Sequence, residues 1–255
     1  MNTALLLSGG IGSRITSEIS KQYIRAGDRM LITYALEPLL KSKYIESVEI
    51  VAEPGWREAI LEDAVQAGIN IGKIAGFAIP GKCRQESIRN GLEDIVCRSA
   101  GTDGLMEKMS ADTIFIHDAA RPFLKEELIE RCFKALPGHE GVMPVLAMKD
   151  TVYRSENGTR VDGLLERKQI YAGQAPELFI LEKYYLANQV LMPEQLMKVS
   201  GSAEPAVLAG MDIVMIPGDE DNFKVTTDAD MCRFLKQVKS LFEDMCSATV
   251  DSQAQ

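Results

Sequence analysis

The stretch LLLSGGIGSRI, Leu5–Ile15, runs from an apolar strand candidate straight into Gly9, Gly10 and Gly12, with Arg14 just behind them. A glycine-rich turn after a first strand presents backbone N–H groups to an anion, and bare α-carbons let that anion come close. The dinucleotide fingerprint G-x-G-x-x-G also needs an acidic residue about 20 positions on. Here the third glycine is missing, and the second strand candidate ends near Glu53, about twice that distance away. A Walker loop needs G-x-x-x-x-G-K-[ST], and the chain contains no such string. What replaces both is basic: Arg14 in the loop, then Lys21, then Arg25. A glycine cradle backed by arginine and lysine suits a triphosphate, whose charge is spread over several oxygens. The competing reading is a plain tight turn with Lys21 as a solvated surface lysine.

Outward from that loop, short apolar runs alternate with amphipathic ones. Strands are predicted at Ala4–Ser8, Val48–Ala52, Ile74–Ile79, Thr113–His117, Gly141–Leu146 and Ile213–Ile216, all rich in Val and Ile and bounded by Gly, Pro or Asp. Helices are predicted at Trp56–Ala67, Gln85–Val96, Lys125–Leu136 and Asp228–Leu241, where apolar residues recur three and four apart. This alternation implies an α/β fold, a mostly parallel twisted sheet with helices on both faces. Asp150–Gln174 breaks the rhythm: an ENG turn lies between short β-prone pieces too polar for a core. It reads as a protruding β-hairpin arm over 150–174 that needs a partner surface, most simply a second subunit. Residues 1–242 are expected to form one domain, Met192–Glu204 a loop, and 243–255 a frayed tail.

Composition bounds the function. The chain has 255 residues, 46% hydrophobic and 25% charged, which fits a folded globular protein. A net charge of −9 argues against a nucleic-acid surface, which would want a basic face. Five widely spaced cysteines without a CxxC pair, and only two histidines, point to free thiols rather than a zinc site. The start TALLLSGG lacks the features of a signal peptide, and no apolar stretch approaches a membrane span. The expectation is a cytoplasmic protein.

Three more segments gather chemistry. In PGKCRQESIRNGL, Pro80–Leu92, a helix starts after a strand and places Arg84 and Ser87 in its first turn, where they can meet an anion or a base edge. FIHDAARPF, Phe115–Phe123, ends a strand with Asp118 at the carboxyl edge of the sheet, where ligands bind. A carboxylate beside a triphosphate is what Mg²⁺ asks for, though Asp118 could equally cap the turn or pair with Arg121. DNFKVTTDAD, Asp221–Asp230, aims Lys224 at the same edge, before a helix capped by Thr227 or Asp228. For His117 the simpler reading is a strand-end residue held by packing.

With these segments in order, the chain resembles the sugar-alcohol-phosphate cytidylyltransferases: the 2-C-methyl-D-erythritol 4-phosphate cytidylyltransferases and the related ribitol-5-phosphate enzymes. The resemblance covers residue 4 to about 240. It rests on Gly10-x-Gly12-x-Arg14, Lys21-Gln22-Tyr23, Arg84 to Leu92, His117 to Pro122, Asp150-Thr151, Arg167 ahead of Ala175-Pro176, and Asn222 to Thr226. It implies a Rossmann-like nucleotidyltransferase fold, a homodimer joined through the arm, and CTP bound over the glycine loop by Ser8, Gly9, Gly10, Gly12, Arg84 and Ser87. It further implies Mg²⁺ on Asp118, catalysis by Arg14, Lys21 and Lys224, and a sugar-alcohol phosphate held by Thr151 and Arg167, the latter reaching across the dimer.

The sequence departs from this pattern in three places. Ser20 replaces a proline before K-Q, Ala175-Pro176-Glu177 stands where T-P-Q is usual, and SGSAEPAVLAG lacks the usual T-D pair. The last two lie in the half of the site expected to hold the acceptor. The first reading is CMP transfer to 2-C-methyl-D-erythritol 4-phosphate, and the alternative acceptor is ribitol 5-phosphate. A silent homologue or a nicotinamide-dependent oxidoreductase would be the readings from other classes.

Overall fold

In a computed structural model, residues 1–10, 19–99, 109–199 and 201–252 are described. The central sheet is built on β1 (Asn2–Leu7). Two tiny strands, β2 (Arg25–Ala26) and β3 (Arg29–Met30), pair with each other outside it. The helix α1 (Leu31–Lys41) then leads to β4 (Ser47–Val51), α2 (Arg57–Gln66), β5 (Ile74–Ala78), α3 (Arg84–Ser99), β6 (Thr113–Asp118), α4 (Glu126–Ala135) and β7 (Gly141–Ala147). β1 lies between β4 and β6, parallel to both, and β5 extends the parallel row beyond β4. Strands covered on both faces read as continuous apolar runs, which is why TALL in β1 and TIFIHD in β6 are buried throughout.

Alternation along β1 divides the core into two layers. Ala4 and Leu6 pack with α1, α2 and α4 through Leu36, Ile60 and Ile129. Leu5 faces the other way, onto Ile88 and Leu92 of α3. That contact explains Gly91, where an added Cβ would sit 2.4 Å from the Leu5 side chain. The fold is therefore the predicted α/β arrangement, and the described residues form no closed barrel.

The second half departs from simple alternation. After β7 come the hairpin β8 (Tyr153–Arg154) and β9 (Gly163–Leu164), then β10 (Tyr171–Gly173) and β11 (Glu177–Ile180). β11 runs antiparallel between β6 and β7, so the sheet is mixed. Then follow α5 (Leu181–Gln189), the short α6 (Pro193–Leu196) and α7 (Glu204–Leu208), β12 (Ile213–Pro217) parallel to β7, and α8 (Asp228–Ser252). α8 packs Phe234 and Val238 against Leu31 at the start of α1.

Several expectations need adjustment. The helix α1 had no predicted counterpart: buried residues ring most of it, and the extended Met30 before it offers no capping side chain. The predicted arm is real as an exposed hairpin, with Gly158 at φ +75° in its turn. It ends earlier than expected, because Tyr171–Gly173 returns to pair with β7. Gln174 is buried there and accepts from the backbone N–H of Asp219. The Met192–Glu204 loop contains α6, and the expected tail continues α8 to Ser252.

Candidate active site

A cleft of about 370 Å³ opens where β1, β5 and β6 end, the carboxyl edge at which open α/β sheets bind ligands. Asp118, the last residue of β6, is the single acidic side chain lining it among the described residues. Three cations close on this carboxylate. Arg84, the first residue of α3, donates to Oδ1. Lys224 Nζ lies 2.9 Å from Oδ2, and Arg121 Nε is 3.7 Å from the same oxygen. Burial would raise the Asp118 pKa, but Arg84, Lys224 and Arg121 outweigh it and hold the group far below the usual carboxylate range.

Each cation is positioned by the fold. Arg121 donates to the carbonyl of Asn222 at 2.7 Å, and Val225 N–H donates to the carbonyl of Ala120 at 2.8 Å. These bonds tie the Lys224 segment to the turn after β6. The segment ends in a sound helix cap: Thr227 Oγ1 accepts from Asp230 N–H, and Asp230 Oδ2 accepts from Thr226 and Thr227. Thr227, not Asp228, is therefore the cap. Burial pushes Asp230 up, but these donors hold it down at about 2. His117 is wholly buried with Nε2 3.0 Å from the Arg121 carbonyl, and burial lowers its pKa to about 4. It stays neutral and orients the Arg121 turn.

The glycine loop faces a second loop, Pro80–Cys83. Gly9 is required by their approach, since an added Cβ would lie 2.5 Å from Pro80 Cβ. Gln22 braces the first loop by donating to the carbonyls of Ser8 (2.6 Å) and Gly10 (3.1 Å). Ser87 braces the second: its hydroxyl accepts from Gly81 N–H at 2.9 Å and donates to the Cys83 carbonyl at 3.0 Å. Tyr23 stacks on Trp56 with ring centroids 4.1 Å apart, fixing the turn that carries Lys21.

Ser8, Gly9, Gly10, Lys21, Arg84, Ser87, Asp118 and Lys224 thus come together around one cleft. Gly12 and Arg14 lie outside the described residues. Arg25 turns away, its guanidinium 2.7 Å from Asp63 at the α2 side, so the expected run of basic residues toward the cleft stops at Lys21. Thr151 and Arg167 are exposed and line no part of this cleft. Arg167 donates to the Lys149 carbonyl at 2.7 Å and borders a separate depression at the base of the hairpin.

Some participants were not singled out from the sequence. Lys82 lines the cleft. Arg84 Nη2 donates to Ser202 Oγ at 3.1 Å, and Ser202 Oγ donates to Glu177 Oε1 at 2.7 Å. No local pattern announces that link, because its members are separated by long stretches of chain. The cleft is consequently a cationic basin around one ionised carboxylate, suited to anions that carry several negative oxygens.

Comparison with known proteins agrees with this geometry. The family model described as IspD: 2-C-methyl-D-erythritol 4-phosphate cytidylyltransferase matches residues 3–236. The enzyme of that name from Thermotoga neapolitana is 31% identical over 231 residues, covering 91% of this chain and 94% of its own. The bifunctional enzyme IspD/IspF of Maricaulis maris is 31% identical over 241 residues, covering 93% of this chain and 57% of its own. The chain thus spans little more than half of such bifunctional relatives. The crystal structure of the Francisella tularensis 2-C-methyl-D-erythritol 4-phosphate cytidylyltransferase superposes with a TM-score of 0.71 at 21% identity, covering 94% of this chain and 99% of that one, which shows a shared fold. The cleft at the strand ends, the matched span and the shared fold converge: this chain belongs to the IspD family of cytidylyltransferases.

Proposed function

We propose that the chain transfers CMP from CTP to 2-C-methyl-D-erythritol 4-phosphate, releasing pyrophosphate. The observation that carries this reading is the convergence of Lys21, Arg84 and Lys224 on the cleft beside the glycine loop. A phosphate oxygen of the acceptor attacks the α-phosphorus of CTP, forming a new P–O bond. The bond from the α-phosphorus to the bridging oxygen breaks, and its electron pair leaves with pyrophosphate. No protein nucleophile is needed, because the attacking phosphate is already anionic. The work of the chain is positioning and charge stabilisation.

In this scheme Ser8, Gly9, Gly10 and Gly12 cradle the triphosphate, with Arg84 and Ser87 on the nucleotide side. Arg14, Lys21 and Lys224 face the charge that develops at the α-phosphate. Asp118 is a hard oxygen donor kept ionised by its neighbours, and Mg²⁺ binds through one or two carboxylates together with substrate phosphates. The donor set therefore fits Mg²⁺, with Asp118 and the triphosphate as its ligands. When bound, the ion neutralises phosphate charge.

The acceptor half is completed by a second subunit. Thr151 and Arg167 lie at the base of an exposed hairpin, outside their own chain's cleft, which supports a homodimer in which the arm delivers them to the partner. Ribitol 5-phosphate is the second reading for the acceptor, because Ala175 stands where threonine is usual in the half expected to hold it. Both substrates are water-soluble phosphates, and no helix among the described residues is long and apolar enough to cross a membrane. A cytoplasmic enzyme suits these substrates. The direct test is nucleotide selectivity by calorimetry with Mg²⁺ present. CTP should bind at least tenfold more tightly than UTP, ATP or NAD. Equal affinity for all four would oppose the reading.

A further inference from the structure

Glu177 is buried in β11 at 7% exposure, and Oε2 has no hydrogen-bond partner. Its other oxygen receives the Ser202 hydroxyl at 2.7 Å, and the same hydroxyl accepts from Arg84 Nη2 at 3.1 Å. Ser202 is itself fixed, because Tyr184 donates its phenol proton to the Ser202 carbonyl at 2.7 Å and both residues are fully buried. Arg84 is thus held from two sides, by Asp118 on Nη1 and by the Ser202–Glu177 pair on Nη2. A guanidinium has a planar fork, so two anchors on different nitrogens fix its plane as well as its position. Asp118 alone anchors only one of the two terminal nitrogens.

Ser202 and Glu177 also fall in the two stretches where the sequence leaves the pattern it resembles, near 177 and between 200 and 210. The two departures meet in space at one hydrogen bond. We propose that Glu177 and Ser202 act as one positioning pair that orients the Arg84 guanidinium in the nucleotide cleft. This rests on the reading of Arg84 as a nucleotide contact. Neither residue touches the reacting atoms, and burial keeps the pair out of reach of solvent. The hydrogen bond to Ser202, rather than the charge on Glu177, carries the effect.

The test combines a substrate-free readout with kinetics. Nitrogen-resolved NMR of arginine guanidinium groups, with the Arg84 signal assigned by its loss in Arg84→Lys, reports whether that group rotates freely. The expected result is a restricted guanidinium in the unmodified protein and in Glu177→Gln, and a freely rotating one in Ser202→Ala and Glu177→Ala. Loss of a hydrogen bond to a charged group should raise the CTP KM about tenfold in either alanine variant, with kcat little changed. The double variant should be no worse than either single one, and Ser202→Thr should restore the KM. Restricted rotation surviving in Ser202→Ala, or KM losses that multiply in the double variant, would overturn the pair. Should Glu177→Ala fail to fold, Ser202→Ala and Glu177→Gln carry the comparison. A protein that ignores CTP would defeat the proposed function, while the NMR signals would still decide the tie.

Discussion

Lys224 Nζ lies 2.9 Å from Asp118 Oδ2, which joins the segment entering the last helix to the last residue of β6. The contact puts a lysine and an arginine, Arg84, on opposite oxygens of one buried carboxylate. Removing one partner of such a buried cluster leaves the others uncompensated, and typical costs are about 3 kcal/mol. Asp118→Asn should therefore lower stability by about that amount in denaturant titrations and abolish turnover. The pH dependence has a definite sign. Asp118 is depressed in the folded state, so its contribution is present above the ordinary carboxylate pKa and is lost as pH falls toward the folded value. Below pH ~4 the unmodified protein should lose stability more steeply than Asp118→Asn. Equal slopes would remove Asp118 from the acid response.

Lys21 sits in a short turn pinned by the Tyr23–Trp56 stack and lines the same cleft. If it stabilises charge that develops during the reaction, truncation should strike the transition state more than the ground state. Lys21→Ala is expected to lower kcat by about 10²-fold while the CTP dissociation constant moves only a few-fold. A variant with unchanged kcat would take Lys21 out of the mechanism.

Far from the cleft, Glu49 is buried in β4 with Arg98 Nη2 2.6 Å from Oε2, while Oε1 has no partner. Burial outweighs Arg98 and pushes its pKa up to about 7. The folded state then binds a proton that the unfolded chain has released, so stability must fall as pH rises from the unfolded value toward 7. Glu49→Gln should flatten that slope, removing a loss on the order of 2 kcal/mol between pH 5 and 8. Melting curves in that range decide it, and a slope unchanged by the substitution would contradict the assignment.

Arg167 and Thr151 test the second subunit. Arg167→Ala should raise the acceptor KM by at least tenfold and leave CTP binding alone, since a lost charge-assisted contact to phosphate costs about 2 kcal/mol. Sedimentation velocity should show a dimer for the unmodified chain. Full acceptor affinity in Arg167→Ala would exclude it from the site.

The glycine loop and β6 were legible in the sequence because local rules govern them: an apolar run buried on both faces, then residues with small or polar side chains at its carboxyl end. The hairpin was legible through ENG for the same reason. The helix α1 was not, because LITYALEPLL is apolar around most of its circumference and carries no capping signal. Arg25 follows Arg14 and Lys21 in the basic run behind the glycine loop, yet Asp63 on α2 claims it across the fold. The Arg84–Ser202–Glu177 link was equally hidden, since only the tertiary structure brings α3, β11 and the α7 approach together. Local chemistry marks a site's edges, and long-range bonds decide how its side chains are held.

CMP transfer by this chain is measured most directly as pyrophosphate release with CTP and Mg²⁺, offering 2-C-methyl-D-erythritol 4-phosphate and ribitol 5-phosphate in parallel. Release is expected with 2-C-methyl-D-erythritol 4-phosphate and little with ribitol 5-phosphate. Release with ribitol 5-phosphate alone, or with neither acceptor, would contradict that expectation.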